Sequence, residues 1–374
     1  MLQPEYLRGL PDALVRLYAQ AEADILADMA RRIAAYDYWI PAAEHQRRVL
    51  IEMGASHDFI LRRLSMLTGR SVAELSTLFR EAGEQAIGAD AEIYRAHGLD
   101  PPALDTSKPL RRTLNTGLRR TNRLMRNLTG TTARTGAQQF VAALDRAWMQ
   151  VSTGGFDANT AVRTAVKDLA RQGVGAVRYP SGHVDTIEVA VRRAVVTGVN
   201  QTALQMQWDL ADEMGCDLVE TSAHGGARPE HAVWQGKIFS RSGKHPKYPD
   251  FRKSTGYGTG AGLGGWNCRH SFYPYFEGAP RAYSAKQLAD YDAPKYEYGG
   301  KRLTEYEATQ TQRAIERQIR RWKREYAAVN AAGLDAGEAA AKVAHWQETQ
   351  RGFIAQTGLK RQYDREQIGN QKKG

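Results

Sequence analysis

Cysteine is scarce in this chain, which has only Cys216 and Cys268 among its 374 residues. Two cysteines cannot form the disulfide framework of a small secreted fold, so we expect the chain to fold in a reducing cytosol. No segment offers the roughly 18 uninterrupted apolar residues that a membrane span requires. The N-terminal stretch carries Glu5 and Asp12 and lacks the apolar core of a signal peptide. We therefore expect neither secretion nor membrane insertion.

Acidic residues are absent from the stretch KPLRRTLNTGLRRTNRLMR, which runs from Lys108 to Arg126 in a chain of formal net charge +11. One interpretation is a solvated helix face, since most charge runs are solvated. The other is contact with the phosphates of double-stranded DNA, which releases counterions whatever the base sequence. The second interpretation names the DNA-binding side chains as Arg111, Arg112, Arg119, Arg120, Arg123 and Arg126.

With 42% hydrophobic and 25% charged residues, the composition predicts a globular protein. Apolar residues at three- and four-residue steps, such as Leu14, Leu17, Tyr18 and Ala21, predict that it is mainly α-helical, with a small central α+β motif domain. Ser71 stands three residues before Glu74, a capping box that predicts a helix start there and hence rather short N-terminal helices. We predict four segments along the chain. They are an N-terminal helical region (1–98), a linker and second helical block with the basic stretch (99–215), a small α+β motif domain (216–283) and a C-terminal helical basic tail (284–374).

The motif domain is predicted from a change of pattern after Gly215. The stretch CDLVETSAH alternates as a strand does, RPEHAVWQG indicates a short helix with Pro229 in its first turn, and KIFS indicates a second strand. A glycine-rich loop follows, and WNCRHSFYPYF predicts a third strand. The glycines Gly260, Gly262 and Gly265 match G-x-G-x-x-G, but a dinucleotide site needs a strand before this pattern and a helix after it. Neither is predicted, so we do not expect nucleotide binding.

The cysteine and histidines of this region could bind a metal. Cys268 and His270 are two positions apart on a predicted strand and so share one face, and His224 and His231 could complete a tetrahedral set. The chain has no C-x-x-C or H-x-x-x-H pair, and lone histidines in loops are more often hydrogen-bonded structural groups. We therefore expect no bound metal and no cofactor, with zinc on His224, His231, Cys268 and His270 as the alternative.

Catalysis is the third possibility. Cys268, His231 and Asn267 could serve as nucleophile, base and orienting group, and His270 could serve an HNH-like nuclease that uses a metal. The nearest carboxylates in sequence, Asp217, Glu220 and Glu230, are few for a nuclease metal. We expect no enzyme, with a metal-dependent nuclease or a general nucleic-acid-binding protein as the alternatives.

Two separated halves of this region resemble the signature of the phage minor capsid protein 2 family, which is related to the Mu protein F-like head morphogenesis proteins. The shared pattern is R-x-x-H/C, then G-x-x-F/Y, and after a variable loop N-C-R-C/H before an aromatic strand. The first half is found here at Arg228, His231, Gly236 and Phe239. The second half is found at Asn267, Cys268, Arg269 and His270.

The resemblance implies a structural minor head protein of a tailed bacteriophage. Such a protein is made in the host cytoplasm and resides in the virion, where it acts with portal and capsid proteins in procapsid assembly and in DNA packaging, retention or delivery. Some relatives carry cysteines as C-P-x-C and N-C-R-C, whereas this chain has Arg228, His231 and His270 at three of those positions. The departure favours a packed structural knot over a metal, with Cys268 buried as a small hydrophobic group. Its predicted core is Trp234, Phe239, Trp266, Phe272 and Tyr275.

Overall fold

The computed structural model describes residues 2–369, apart from the side chain of Thr68. The helices are α1 (Pro4–Gly9), α2 (Asp12–Ala35), α3 (Ala42–Ala96), α4 (Lys108–Ser152), α5 (Ala158–Gln172), α6 (Ile187–Glu213), α7 (Pro229–Ala232), α8 (Phe251–Thr255), α9 (Ala285–Asp292), α10 (Glu305–Ala331), α11 (Gly337–Thr357) and a 3₁₀ turn (Tyr363–Glu366). The strands are β1 (Gly175–Arg178), β2 (Val184–Thr186), β3 (Leu218–Thr221), β4 (Ile238–Ser240), β5 (Phe272–Pro274), β6 (Tyr296–Tyr298) and β7 (Lys301–Leu303). The prediction of a mainly α protein with a small α+β region is confirmed.

The chain forms two compact units, each assembled from separate stretches. Unit 1 contains the chain up to Pro11, Val72–Leu124 and Arg193–Gln310. Unit 2 contains Asp12–Ser71, Met125–Arg192 and the described residues from Thr311 onwards. The four segments predicted above divide the chain by sequence position and stay a prediction. Between residues 2 and 369, no helix has both the length and the apolar character needed to cross a bilayer.

Unit 1 holds the predicted α+β motif region, built on a three-stranded antiparallel sheet in the order β4-β3-β5. Val219 of β3 lies opposite Phe239 of β4 and Pro274 of β5. All four residues of β3 are buried, because apolar side chains cover both faces of the sheet. Val219, Phe239 and Phe272 belong to one buried cluster. Leu218, Ile238 and Tyr275 belong to another.

The third strand is much shorter than predicted. It comprises Phe272–Pro274, while the segment from Trp266 to Ser271 is turn and irregular chain. Gly264 and Asn267 have positive φ angles of 73° and 53°, which an extended strand does not accommodate. The prediction that Cys268 and His270 lie on a strand is therefore wrong.

The predicted helix start at Ser71 is also wrong, because α3 runs without interruption from Ala42 to Ala96. Ser71 is buried, and its hydroxyl donates to the carbonyl of Leu67, one turn earlier, at 2.8 Å. A serine inside a helix commonly satisfies its hydroxyl in this way. The buried stripe continues through this position, at Ile60, Leu64, Leu67, Leu75 and Phe79. Burial of that stripe outweighs the local capping signal.

Two hairpins interrupt segments that were predicted to be helical. The β1-β2 hairpin lies within the second helical block, and the β6-β7 hairpin lies within the C-terminal tail. Gly299 and Gly300 join β6 to β7 with φ angles of 56° and 75°, the left-handed conformation that a two-residue hairpin turn needs. The Gly-Gly pair in YEYGGKRL could therefore have predicted this hairpin from the sequence. The last five residues of the predicted tail lie outside the described residues.

Helices α4 and α6 pack closely in unit 1 through paired glycines and threonines. A Cβ atom at Gly117 would overlap the side chain of Thr202, and one at Gly198 would overlap the side chain of Thr121. Both threonines are buried. Each helix thus offers one glycine and one threonine four residues apart, and each glycine receives the threonine of the other helix.

This contact predicts an unequal response to alanine at two glycines of α4. Gly117→Ala should lower the free energy of unfolding by about 1–3 kcal/mol relative to Gly130→Ala, because the new methyl group overfills a packed contact. Gly130 has open space around it. There the better helix propensity of alanine should raise stability by up to about 1 kcal/mol. Urea denaturation measures both variants, and equal stability would contradict the packing argument.

Candidate functional site at the histidine and cysteine motif

The two halves of the sequence motif meet in unit 1. Arg228 precedes α7 and donates from Nη2 to the carbonyl oxygen of Trp266 at 2.7 Å. His231 lies on α7, and its Nε2 is 2.8 Å from the carbonyl oxygen of Ala261. The short helix therefore holds the glycine-rich loop that leads into the second half of the motif.

Glycines shape that loop because its backbone passes close to itself. A Cβ atom at Gly262 would overlap the backbone of Gly256, and one at Gly265 would overlap the carbonyl of Gly260. The G-x-G-x-x-G match therefore reflects a tight turn. Trp266 donates its amide to the carbonyl of Gly260 at 2.8 Å, and residues 266–271 then follow as irregular chain. No helix follows this turn, as a dinucleotide site would require.

Three side chains of the motif converge on a buried point. Cys268 Sγ lies 3.7 Å from His231 Nδ1 and 3.6 Å from His270 Nδ1. The three potential ligand atoms all lie within 4.8 Å of one another. Cys268, His231 and His270 are each 2–3% exposed. The structure thus brings together the second half of the motif and one histidine of the first half.

His224 completes the histidine group from the end of β3. Its ring stacks on that of His270 with 4.4 Å between the ring centroids. Its Nδ1 lies 2.7 Å from the carbonyl oxygen of Gly225, and its Nε2 is buried with no hydrogen-bond partner among residues 2–369. All four residues of the alternative zinc set therefore lie in one neighbourhood.

Burial controls the protonation of these groups. It lowers the pKa of His231, lowers the pKa of His270 well below its ordinary value and lowers the pKa of His224 to about 3. The positive charge of Arg269 adds to the depression at His224 and His270. Burial raises the pKa of the Cys268 thiol. At neutral pH the imidazoles are thus uncharged, and the thiol keeps its proton.

Amide side chains from α6 satisfy the backbone around Cys268. Asn200 Nδ2 donates to the carbonyl of Cys268 at 2.9 Å and to that of His270 at 3.2 Å. Gln207 Nε2 donates to the carbonyl of Phe272 at 2.7 Å and to Asp90 Oδ2 at 2.9 Å. Sequence reasoning missed both amides. Their signal was present, since polar residues seven positions apart share the otherwise apolar face of α6.

The predicted core around Cys268 is correct in part. Trp234, Phe239 and Phe272 are buried in one cluster, as predicted. Tyr275 is buried in a different cluster, on the other face of the sheet. Trp266 is 60% exposed, so its place in the core is wrong. Its neighbour Asn267 turns the chain with a φ of 53°, and Arg228 holds the backbone carbonyl of Trp266.

Gly236 of the motif is required by both conformation and space. It has a φ of 60°, and a Cβ atom there would overlap the side chain of Leu288. Its amide donates to the carbonyl of Thr221 at 3.1 Å, and its carbonyl accepts from Arg281. The glycine therefore ends the α7 turn where the chain must return to β4.

The predicted DNA-binding arginines lie on α4, and Arg111, Arg112, Arg119, Arg120, Arg123 and Arg126 are all exposed. Arg119 Nη2 lies 3.4 Å from Thr116 Oγ1. Across the part of the chain that the structure describes, these six arginines and Lys108 form no ion pair. Two of the three carboxylates considered for a nuclease are engaged elsewhere, since Asp217 accepts from Ser240 Oγ at 2.7 Å and Glu220 pairs with Arg281 at 3.1 Å, while Glu230 is exposed on α7.

Comparison with known proteins places this chain among bacteriophage structural proteins. The structural protein of Lactococcus phage LL-H is 27% identical over 232 residues, which cover 60% of this chain and 60% of that protein. The structural protein of Lactococcus phage mv4 is 36% identical over 129 residues, which cover 34% of this chain and 96% of that protein. More particularly, the chain belongs to the phage minor capsid protein 2 family, whose model matches residues 2–355. The resemblance drawn from the motif is confirmed, and the protein is a component of the virion. No solved structure matches the chain.

The amide network predicts a difference between two residues of α6. Asn200→Ala should lower the free energy of unfolding by about 1–3 kcal/mol, because two buried carbonyls would lose their donor. Gln205→Ala should change it by less than about 0.5 kcal/mol, since Gln205 is exposed and its amide bonds Asp209 on the surface of the same helix. Denaturant titration of both variants provides the comparison. An Asn200→Ala variant as stable as Gln205→Ala would show that the network does not hold the loop.

Proposed function

We propose that this minor capsid protein acts near the portal and that the basic face of α4 contacts packaged double-stranded DNA. The observation that carries the proposal is the set of exposed, unpaired basic side chains on α4. Membership of a phage capsid family supplies the setting, because a protein inside the head meets densely packed phosphate. Assembly with portal and capsid proteins is the other half of the proposed role.

Helical geometry gathers the charges of α4 into a stripe. Successive residues of a helix are about 100° apart around its axis, so Lys108, Arg112, Arg119 and Arg123 fall within about 60° of one another. They extend over about 22 Å along the axis. Arg111 and Arg120 flank them on either side. A straight row of unpaired cations is suited to a phosphate backbone, which carries its charge along a line.

The other arginine-rich helix, α10, is less suited to such contact. In unit 2, Arg320 pairs with Glu188 at 3.2 Å, and its side chain is only 14% exposed. Arg324 donates to the carbonyl of Ala170, and Lys323 is buried. These charges hold the fold of unit 2. The α4 stripe is the better candidate for DNA because its charges are exposed.

The expected contact is independent of base sequence. Arginines that reach phosphates position a protein on DNA, whereas sequence is read at the base edges. The sequence has no zinc-finger pattern and no RNA-recognition aromatic pair, so the expected partner surface is the sugar-phosphate backbone. Affinity should accordingly depend strongly on salt and little on the duplex chosen.

Neutralising the stripe tests the DNA contact. The quadruple variant Arg112→Gln, Arg119→Gln, Arg120→Gln and Arg123→Gln should bind all duplexes more weakly. It should also reduce the slope of log K against log salt by up to about four phosphate equivalents, because fewer counterions are released. Fluorescence anisotropy of a labelled duplex over a range of salt concentrations measures both quantities.

The matched control removes the same amount of charge elsewhere. Arg31, Arg62, Arg70 and Arg95 are exposed on α2 and α3. Changing these four arginines to glutamine should leave the salt slope close to that of the unchanged protein. Equal slopes for the stripe variant and the unchanged protein would reject the DNA role of α4. If the stripe and control variants lose DNA affinity and salt slope equally, the binding is an effect of net charge and not of α4.

Portal-associated assembly should survive loss of the stripe, because the motif region is separate from α4 in sequence and is built on its own sheet. The quadruple variant should therefore still enter procapsids when it is expressed with the phage portal and capsid proteins. Its copy number, measured by quantitative gel analysis of purified procapsids, should match that of the unchanged protein. Exclusion of a folded stripe variant would show that α4 is a protein-docking surface.

We further propose that the protein has no turnover chemistry. Cys268 is only 3% exposed and keeps its proton, so it is not placed to attack a substrate. Asp217 and Glu220 are held by other residues of the fold. The purified protein should neither cut DNA nor hydrolyse nucleotides in the presence of Mg²⁺ or Mn²⁺. An activity that disappears in His231→Ala would favour the metal-dependent nuclease instead.

A further inference from the structure

The hydrogen-bond partners of His231 and His270 fix which ring nitrogen carries the proton. His231 Nε2 faces the carbonyl oxygen of Ala261, which only accepts, so Nε2 must donate. His270 Nε2 lies 3.1 Å from Gln235 Oε1. The same oxygen accepts the backbone amide of His224 at 3.1 Å, which identifies it as the oxygen of the amide group. His270 Nε2 must therefore donate as well.

Both Nδ1 atoms consequently present lone pairs to Cys268. The thiol sulfur lies 3.7 Å from one of them and 3.6 Å from the other, and it has a single proton to share. One buried lone pair therefore remains without a donor in this arrangement. His224 adds another, because its Nδ1 donates to Gly225 and its buried Nε2 has no partner among the described residues.

The two sulfur–nitrogen distances are those of ligands around one tetrahedral ion. Zinc lies about 2.3 Å from a cysteine sulfur and about 2.0–2.1 Å from a histidine nitrogen, which sets the sulfur and nitrogen about 3.6 Å apart. The observed separations of 3.6 and 3.7 Å match this value. Ligating histidines also typically donate their other ring N–H to a carbonyl oxygen, as His231 and His270 do here.

We propose that Cys268 Sγ, His231 Nδ1 and His270 Nδ1 bind one zinc ion. Thiolate and imidazole are the ligands that zinc takes in proteins, and three of them leave a fourth position for His224 or water. Binding replaces the thiol proton of Cys268, which passes to solvent, while the two neutral imidazoles contribute lone pairs and lose no proton. The expectation of no metal rested on residue spacing, on the usual structural role of lone histidines and on the departure from the cysteine pattern of some relatives, and none of these contains the distances given above.

Such an ion would have a structural role. It would join α7 to the irregular chain before β5, the same two parts that Arg228 links through the carbonyl of Trp266. Ligands from residues 231 and 268 would close a loop of 37 residues, which lowers the entropy of the unfolded chain. All three ligand residues are buried, so the site has no face for a macromolecular substrate.

Metal content of the full-length protein tests the proposal. The protein should be purified without metal-affinity resin or chelator, and its zinc should be measured by inductively coupled plasma mass spectrometry. We expect about one zinc per chain. Cys268→Ala should lose the zinc, whereas the matched control Cys216→Ala should retain it. Cys216 is also buried in unit 1, but its thiol faces the carbonyl of Leu218 at 3.3 Å.

A second measurement needs no variant and decides the case if Cys268→Ala does not fold. Cobalt(II) added to the unchanged, chelator-treated protein should give a thiolate-to-cobalt charge-transfer band and the visible bands of tetrahedral cobalt. A chelator should also lower the melting temperature of the zinc-containing protein. The proposal is overturned if folded protein neither carries nor takes up zinc, if folded Cys268→Ala retains it, or if cobalt gives no thiolate band. None of these outcomes bears on DNA binding by α4.

Discussion

Burying an irregular stretch of backbone is the constraint on which unit 1 depends. The segment from Cys268 to Ser271 lies inside the protein without the hydrogen bonds of a helix or a strand, so other groups must satisfy its polar atoms. Asn200 bonds two of its carbonyls, and Ser222 exchanges hydrogen bonds with Ser271 at 2.8 Å in each direction. The position of α6 beside the sheet follows from these bonds as much as from apolar packing.

The same constraint explains why the motif has two halves. The first half supplies hydrogen-bond donors to the backbone that leads into the second half. Arg228 donates to the carbonyl of Trp266, and His231 donates to that of Ala261. The glycines allow the loop to pass close enough to be held. The arginine, histidine and glycine residues of the motif therefore all serve to hold this loop against α7. The cluster of His231, Cys268 and His270 lies where the two halves meet.

Charge is used in two different ways within this protein. On α10, Arg320 pairs with Glu188 and Arg324 bonds the carbonyl of Ala170, and both contribute to the fold of unit 2, whereas the basic side chains at the start of α4, from Lys108 to Arg126, are exposed. Both helices are rich in arginine, but α10 also carries four glutamates, whereas α4 has only Asp145. Their roles differ because Glu188, far away in the chain, meets Arg320 of α10, whereas among the described residues no carboxylate pairs with the basic side chains between Lys108 and Arg126. A surface role can be proposed for α4 for that reason alone.

Local patterns in the sequence determined much of the fold. The α7 turn, β3 and β4 follow from proline, glycine and alternation over a few residues, and the two-part motif identified the family. Ser71 shows the limit of such patterns, because a local capping signal yielded to the burial of a stripe that extends along α3. The partners of Cys268 were beyond any local pattern. Asn200 and His231 lie 68 and 37 positions away from it in the sequence. Only the tertiary structure decides which donors and acceptors surround Cys268, because that depends on distances that the sequence does not contain.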